Sequence, residues 1–279
     1  MTEIKKANTC IIVVTFNPKD DFGNNICRYL EIADKIVIVD NHSNRDIRDF
    51  IPTDNVHRVI LIESDENKGI AWALNQGLHW AMQNNLVYAL TLDQDSLPVP
   101  NILELYNSVL DRQTAIGLLG SSFTDKQIAV NCVHVEDKLT VITSGTLHNL
   151  SILPQTGMYD ESFFIDSVDF DFALRVRSHG YAVQRVKEAL LCHHLGNPHS
   201  KWGVHTTNHT AFRRYYMARN HVILTKRYWK KFPVWILKKN VTFGIEFLRL
   251  LIADDHKVEK IHQIGLGIRD GFRRKQPRT

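Results

Sequence analysis

The segment CIIVVTFNP, residues 10–18, decides the fold. Its first five residues are apolar, Thr15 follows them, and the Asn17-Pro18 pair ends the run. A strand with one solvent-exposed face alternates apolar and polar residues. A continuous apolar run is typical of a strand in a parallel sheet that is buried on both faces. The sequence therefore predicts an α/β fold whose parallel sheet begins here.

Segments of the same kind recur along the first hundred residues. Strands are predicted at 35–39 (KIVIV), 59–63 and 87–92 (VYALTL), with helical apolar spacing between them at 21–32 and 69–83. Helices that alternate with parallel strands require right-handed crossovers. This order predicts an open sheet with helices on its faces.

The second half of the chain is less regular. Further elements are predicted as strands at 116–119, 129–133, 140–143 and 189–192, a helix at 166–180, and a helical, aromatic-rich region at 211–252.

Composition narrows the class of protein. The chain has 279 residues, of which 44% are hydrophobic and 23% charged, an ordinary globular balance. No run of 18 uncharged apolar residues is present, which argues against a simple transmembrane helix, and the N-terminus lacks the pattern of a signal peptide. The four cysteines have no CxxC spacing, so we expect reduced thiols in the cytoplasm.

Charge is distributed unevenly. Residues 1–225 hold 20 basic and 25 acidic side chains, whereas residues 226–279 hold 14 and 5. An acidic body with a basic C-terminal tail indicates that the tail meets an anionic partner, either a membrane surface or a nucleic acid.

Polar clusters follow the first four predicted strands. In open α/β sheets the carboxyl ends of the strands are where ligands bind, although turn residues also belong there. The sequence has neither GxGxxG nor GxxxxGK[ST], which argues against a dinucleotide fold and a P-loop. The clusters contain Thr15 and Asn17, Asp40 and Asn41, Asn67, and Asp93, Gln94 and Asp95.

Two groups of carboxylates have more than one interpretation. Asp93 and Asp95 after a strand can bind a divalent cation that in turn binds a diphosphate, or Asp95 or Ser96 can simply cap the next helix. Asp166, Asp169 and Asp171 are an acidic first helical turn, or one of them is a general base kept near apolar neighbours.

Eight stretches together match a known family in its order. They are IIVVTFNP (11–18), IVIVDNHS (36–43), NKGIAWALNQG (67–77), LTLDQDS (90–96), SGTLHN (144–149), FFIDSVDFDFALRVRSHGY (163–181), HHLG (193–196) and RRYYMARN (213–220). The sequence resembles inverting, family-2 glycosyltransferases of the GT-A fold, most closely the bacterial rhamnosyltransferases that build surface polysaccharides. The resemblance implies a Rossmann-like, mostly parallel sheet flanked by helices, in a catalytic domain of residues 1–225 with a helical C-terminal extension of residues 226–279.

The resemblance also implies roles for single residues. Those implied to bind the nucleotide-sugar are Thr15, Asn17, Asp40, Asn41, Asn67, Asp93 and Gln94. Asp95 and His193 would hold a divalent cation, Mg²⁺ or Mn²⁺, and Asp169 would be the catalytic base. Implied acceptor-side or supporting residues are Ser144, Gly145, Asp171, Arg175 and Arg219.

One departure from the family pattern affects the base. Many relatives have Glu before the aspartate, whereas Val168 precedes Asp169 here. Asp169 aligns best, and Asp166 and Asp171 remain alternatives. The implied reaction is a single in-line displacement in which the base deprotonates the acceptor hydroxyl and no carboxylate nucleophile takes part.

The resemblance suggests partners and a location. The donor would be dTDP-rhamnose and the acceptor a saccharide or lipid-linked saccharide, with no nucleic acid bound. The protein would be cytoplasmic, with peripheral contact to the inner face of the membrane through residues 226–279. Two other classes stay open: a nucleotidyltransferase that makes a nucleotide-sugar, for which TFNPKDDFGN is a poor phosphate loop, and a non-catalytic sugar- or nucleotide-binding module.

The aromatics of the tail also have alternative interpretations. They can stack on bases, but the apolar residues among them favour amphipathic helices, and such helices with Trp, Lys and Arg suit a membrane surface. Alternatively, Trp229 and Trp235 pack against the catalytic body.

Overall fold

The computed structural model describes residues 2–110, 115–123, 133–193, 199–201 and 203–274. The strands are β1 (Thr9–Thr15), β2 (Lys35–Asp40), β3 (Val59–Glu63), β4 (Tyr88–Asp93), β5 (Ser96–Pro98), β6 (Ile116–Phe123), β7 (Val135–Asp137), β8 (Thr146–Asn149), β9 (Ala182–His193), β10 (His199–Lys201) and β11 (Val204–Thr206). The helices are α1 (Phe22–Ile32), α2 (Ile70–Gln83), α3 (Ile102–Leu110), α4 (Leu153–Thr156), α5 (Val168–Ser178), α6 (Ala211–Tyr228), α7 (Pro233–Ala253) and α8 (Lys257–Arg273).

The chain divides into two compact units. The first comprises Met1–Ser162 and Val168–His194, and the second comprises Phe163–Ser167 and Leu195–Thr279. A short loop, residues 163–167, therefore interrupts the first unit in sequence and belongs to the second. The domain boundary predicted from sequence, between residues 225 and 226, lies inside α6.

The sheet of the first unit is mixed. Its strand order is β3-β2-β1-β4-β8-β6-β9-β5, and β7 pairs with β9. The strands β3, β2, β1 and β4 are parallel to one another, as predicted, whereas β8 runs antiparallel to both β4 and β6. The α/β class is confirmed, and antiparallel pairings occur only beyond β4 among the described strands.

Burial explains why the first strands read as continuous apolar runs. Residues 10–13 of β1 and 36–39 of β2 are fully buried, because both faces of the sheet are covered. Helix α1 turns Phe22, Ile26 and Tyr29 toward this core. All strand ends of the parallel part therefore point the same way, and the loops that follow β1, β2 and β4 gather at one edge.

The second unit consists of α6, α7, α8 and the antiparallel hairpin β10–β11. Its small apolar core contains Ala218 and Leu250. A buried carboxylate, Asp254, lies 2.9 Å from the Arg214 guanidinium and 3.0 Å from Lys260 Nζ. The charge of this buried acid is therefore compensated by two cations.

Helix α7 carries exposed apolar side chains at helical spacing, here called the apolar stripe. Its members are Val234, Leu237, Val241, Ile245, Leu248 and Ile252, which are 45–66% exposed. Within the described residues, no helix is both long and apolar enough to cross a membrane.

Three predicted elements differ from the structure. Residues 140–143 form no strand, because their carbonyls accept from side-chain hydroxyls: Thr91 Oγ1 donates to the oxygen of Thr143 (2.6 Å) and Thr146 Oγ1 to that of Ile142 (2.5 Å). The helix predicted from residue 166 begins at Val168, and the strand predicted at 189–192 is the end of the longer β9. Residues 129–132 of another predicted strand lie outside the described residues.

Candidate active site

The ends of β1 and β2 hold a buried carboxylate. The register pairs Thr15 with Asp40, and Thr15 Oγ1 donates to Asp40 Oδ1 at 2.8 Å. Ser43 donates its backbone N–H to Asp40 Oδ2 (2.8 Å) and its hydroxyl to Oδ1 (2.5 Å). Neutral donors thus fix both oxygens of an acid that is only 5% exposed. Sequence reasoning gave Ser43 no role, although a serine three residues after an aspartate is typical of such a turn.

Asn17 and Gln94 join the neighbouring loops. Asn17 has a left-handed backbone (φ 50°), and its Oδ1 accepts from Asn44 N at 2.8 Å. Gln94 Oε1 accepts from Phe16 N (2.9 Å), and Gln94 Nε2 donates to Phe16 O (3.3 Å). The Gln94 side chain therefore extends the sheet's hydrogen bonding and ties the end of β4 to the loop after β1.

Asn41 and Asn67 brace the loop that leads into α2. Asn41 Nδ2 donates to Asn67 Oδ1 (3.0 Å), and Asn41 Oδ1 accepts from Lys68 N (2.9 Å). Gly69 N also donates to Asn67 Oδ1 at 3.0 Å. Gly69 has φ 86°, a conformation that glycine adopts without strain, so the loop can turn directly into the helix.

Ser144 and Gly145 lie beneath the end of β4. Ser144 Oγ accepts from Asp93 N (3.1 Å) and donates to Ser96 Oγ (2.9 Å), and Gly145 N donates to Thr91 O (2.7 Å). Gly145 has φ 73°, and a Cβ there would lie 2.2 Å from the Ser121 hydroxyl. Both residues support the loop that carries Asp93 and Asp95.

Asp93 ends β4 half-buried, and Asp95 is exposed in the turn before β5. Below them the buried Tyr29 hydroxyl donates to Ser96 O at 2.8 Å. Burial, and after it the charges of Asp95 and Asp93, raises the pKa of Tyr29. Both carboxylates therefore act electrostatically on the same hydroxyl, as expected of two acids on one short turn.

A cavity of about 170 Å³ opens beside Asp95. Its lining residues are Lys19, Asp21, Asn25, Gln94, Asp95, Leu97 and Cys192. The backbone of His193 pairs with Ser96, the residue after Asp95, while the side chain of His193 lies outside what the structure describes. Within the described part of the chain, no three His, Cys, Asp or Glu side chains form a group able to hold a metal ion.

The first turn of α5 carries Asp169 and Asp171 in different settings. Asp171 is 1% exposed, and Arg175 Nη2 lies 3.3 Å from its Oδ2, the ion pair expected from their spacing. Arg175 also donates to Thr156 O at 3.1 Å. Asp169 is half-buried, and its Oδ1 accepts from Phe170 N at 2.8 Å.

A buried tyrosine–histidine pair lies next to this turn. His148 Nδ1 lies 3.1 Å from Thr146 O, which makes it a donor, so Nε2 accepts from the Tyr159 hydroxyl at 2.7 Å. Burial lowers the pKa of His148 to about 4, so the ring is neutral at physiological pH. Burial, and after it the charge of Asp169, raises the pKa of Tyr159. Sequence reasoning included His148 in a matching stretch but missed this pair.

Arg219 belongs to the second unit. Its Nη2 donates to Phe163 O (3.1 Å), and its Nε donates to Asn220 Oδ1 (3.1 Å). In the same unit Arg213 binds Asp166 through two hydrogen bonds of 2.8 and 2.9 Å. Arg219 therefore contacts the backbone of the loop before α5, as part of a cluster that also holds Asp166.

Apart from His193, whose side chain is not described, the predicted residues fall into three groups. The first, here called the strand-end cluster, is joined by the contacts described above and comprises Thr15, Asn17, Asp40, Asn41, Asn67, Asp93, Gln94, Asp95, Ser144 and Gly145. The second is the start of α5 with Asp169, Asp171 and Arg175. Arg219 forms the third, with the loop of the second unit.

Comparison with known proteins bears on both units. The chain is 27% identical over 289 residues to the dTDP-rhamnosyl transferase RfbF of Shigella flexneri, an alignment that covers 96% of each protein. Among solved structures it resembles GalNAc-T7 with UDP, GalNAc and Mn²⁺ (TM-score 0.64, 11% identity, 82% of this chain). It also resembles S. aureus TarS (TM-score 0.51, 12% identity, 95% of this chain).

These structural likenesses show a shared fold and confirm the GT-A expectation. The chain spans 49% of the GalNAc-T7 chain and 43% of the TarS chain, so both are about twice as long. The family model described as Glycosyl transferase family 2 matches residues 10–165, which include nearly all of β1 and the strand-end cluster and end within the loop before α5. More than half of the sequence lies within that match, and the chain belongs to glycosyl transferase family 2.

Proposed function

We propose that this glycosyltransferase moves rhamnose from dTDP-rhamnose, with inversion, onto a saccharide or lipid-linked saccharide in bacterial surface polysaccharide synthesis. The observation that carries the proposal is the pair of acids, Asp93 and Asp95, on the turn after β4, braced by Ser144 and next to a cavity. The identity of the donor rests on the full-length similarity to the Shigella rhamnosyl transferase.

Asp40 is suited to bind the nucleoside. Its two oxygens accept from Thr15 and Ser43, and these hydrogen bonds fix the orientation of the carboxylate. Carboxylate oxygens have further lone pairs, and one of these can accept from the ring N–H of a pyrimidine. Thr15 and Asn41 form the rest of this side of the proposed nucleoside site, because Asn41 N donates to Thr15 O at 2.8 Å and joins the two residues.

The side chains at the end of β4 are of the chemical type that binds a divalent cation. Mg²⁺ and Mn²⁺ prefer carboxylate oxygens and bind substrate phosphates with only one or two protein ligands. Asp95 is exposed beside the cavity and Asp93 stands two residues away. We assign the ion to Asp95, with Asp93 and His193 as further ligands. When bound, it would neutralise the charge that develops on the departing diphosphate.

Asp169 is the best candidate for the base. Its half-buried side chain lies on the first turn of α5, where the resemblance to the family places the base. Its charge acts on the buried Tyr159 hydroxyl, which donates to His148.

The reaction then needs one displacement. Asp169 takes the proton from the acceptor hydroxyl, and the oxygen attacks the anomeric carbon of the donor. The bond from that carbon to the diphosphate oxygen breaks, and the nucleoside diphosphate leaves with the electron pair. Attack from the face opposite the leaving group inverts the anomeric centre. Asp171 and Arg175 fix the first turn of α5, on which the base stands.

A panel of nucleotide-sugars tests the donor. A ligand that binds only the folded state raises the melting temperature. We expect dTDP-rhamnose to give the largest shift, dependent on Mg²⁺ or Mn²⁺, and product to form only when an acceptor is supplied. Asp54→Asn, an exposed acid outside the three groups, is the control and retains activity. A shift with no transfer or donor hydrolysis under any condition would instead indicate a binding module.

We also propose that residues 226–279 bind the cytoplasmic surface of a membrane that carries the lipid-linked acceptor. The apolar stripe lies on a helix flanked by lysines, and the segment has nine more basic than acidic residues. A helix of this kind lies in the interface with its apolar face among the lipids. Each basic residue near an anionic surface contributes about 1 kcal/mol.

Vesicle co-sedimentation tests the membrane contact. We expect binding to vesicles with anionic lipid at low salt, weaker binding at high salt because charges are screened, and loss of binding in Leu237→Ser/Val241→Ser. Val56→Ser, a change at an apolar residue of similar exposure in the first unit, is the matched control. Equal, negligible pelleting with neutral and anionic vesicles at both salt concentrations would refute the proposal.

A further inference from the structure

The loop of residues 163–167 has an unusual backbone. Phe164, Asp166 and Ser167 have φ angles of 61°, 62° and 65°. Residues other than glycine disfavour this left-handed region, and they keep such a conformation only where contacts with the surrounding structure hold it. Strain of this kind collects at functional sites. The question is what holds this loop, and what the loop does.

One buried amide contacts most of the loop's carbonyls. Asn220 on α6 is 0% exposed, and its Nδ2 lies 2.9 Å from Phe163 O and 2.8 Å from the carbonyl oxygens of Ile165 and Asp166. Arg219 Nη2 donates to Asn220 Oδ1 at 2.9 Å and so fixes which end of the amide faces the loop. An amide can donate only two hydrogens, so three carbonyls share them.

A second contact holds the loop by its side chain. Arg213 Nε and Nη2 donate to the two oxygens of Asp166, at 2.9 and 2.8 Å. The hydrogen bonds that Arg213 donates to Asp166 raise the pKa of Arg213, as in a formed ion pair. Arg213 and Asn220 stand about two helical turns apart on α6 and therefore on the same face. One face of α6 therefore binds both the backbone of the loop and the side chain of Asp166.

The loop leads directly into the proposed catalytic helix. The peptide bond after Ser167 joins it to Val168, the first residue of α5, and Asp169 follows. The backbone angles of the last loop residues therefore set the direction in which the first turn leaves. We infer that Asn220 and Arg213 are positioning residues that hold the loop of residues 163–167, with its three left-handed residues, in place and thereby orient Asp169. This inference rests on the proposed function of Asp169.

The first test measures kcat and the donor KM separately. We expect Arg213→Lys, which keeps the charge but loses the two-pronged contact, and Asn220→Ala to lower kcat, by up to about 10²-fold for Asn220→Ala, since small misplacements have effects of that size. The donor KM and the melting-temperature shift with dTDP should stay at wild-type values. The control is Thr225→Ala, which removes a contact of α6 with Asn240 instead.

The second test is a rescue that a merely structural role would not give. Glycine adopts a left-handed backbone without strain. If Asn220 acts by holding that backbone, Ser167→Gly should restore part of the lost kcat in Asn220→Ala. Added to Thr225→Ala, it should give no increase. If Asn220→Ala does not fold, the same comparison is made with Arg213→Lys.

The outcomes separate the inference from the function beneath it. Wild-type turnover by Asp169→Asn would overturn the proposed base and with it this inference. An inactive Asp169→Asn beside wild-type kcat in Arg213→Lys and Asn220→Ala would overturn the positioning role alone. Equal loss in Thr225→Ala, or no rescue by Ser167→Gly, would show that the α6 variants act through general stability.

Discussion

The strand-end cluster and the acid-rich start of α5 both place carboxylates beside polar partners, but with different kinds of partner. Asp40 is held by the neutral donors of Thr15 and Ser43. Asp171, which follows Asp169 on α5, pairs with Arg175. A carboxylate fixed by neutral donors is suited to recognise a ligand, whereas an acid paired with a cation repels the neighbouring proposed base less.

The largest effect is expected in the strand-end cluster, at Asp95. Asp95→Ala removes an exposed carboxylate without disturbing the buried braces, so the fold should survive. We expect transfer to fall by about 10³-fold or more, as the loss of several kcal/mol of charge stabilisation implies. Cation-dependent nucleotide binding should disappear in a thermal-shift assay. Asp54→Ala is the control, and full wild-type activity in EDTA would contradict the metal role.

The next largest effect is expected at Asp169. Asp169→Asn keeps the shape of the side chain but cannot take a proton. Turnover should fall by roughly 10²-fold or more, with donor affinity nearly unchanged. Steady-state kinetics with varied donor measure both quantities. A mild effect here with a severe effect of Asp166→Asn or Asp171→Asn would move the base to another acid.

At Asp40 we expect a smaller effect, which changes the donor KM instead of kcat. Asp40→Asn places an NH₂ group against donors from Thr15 or Ser43, which leaves a buried polar contact unsatisfied. We expect the donor KM to rise by about 10-fold, as a lost hydrogen bond to a charged group implies, with kcat little changed. If kcat falls and the donor KM stays at its wild-type value, the predicted difference between the strand-end cluster and the start of α5 is wrong.

The smallest effect concerns pH and His148. Its pKa is about 4 in the folded protein against 6.5 for the ordinary side chain, so the unfolded chain binds more protons between these values. Stability from this residue is complete above pH 6.5 and is lost as pH falls toward 4, by at most about 3 kcal/mol. Urea unfolding between pH 7 and 5 should show a smaller pH slope in His148→Gln.

His209 provides the comparison for that slope. Burial, followed by the charges of Arg213 and Arg214, lowers its pKa to about 4 as well, but it lies in the second unit. His209→Gln should flatten the slope as well, independently of His148→Gln. An unchanged slope in His148→Gln would show that His148 is not the titrating group.

Local patterns predicted the parallel strands because burial on both faces leaves a continuous apolar run in the sequence. They failed at residues 140–143, where β-branched residues suggested a strand but hydroxyls of Thr91 and Thr146 take the carbonyls. The roles of Asp95 and Asp169 came from family motifs, not from periodicity. The conformation of the loop at 163–167 could not be predicted from local patterns, because the residues that hold it lie about fifty positions later in the sequence.

The cavity beside Asp95 contains a thiol, and this makes the site accessible to chemical labelling. Cys192 is exposed and lines the cavity, whereas burial raises the pKa of Cys10 to about 12 and makes it unreactive. Cys27 is also exposed, and Cys132 lies outside the described residues, so replacing both with Ser directs modification to position 192. A fluorophore attached there would sit where the nucleotide's phosphates are proposed to bind. The protein thus carries its own attachment point for an optical sensor of donor occupancy.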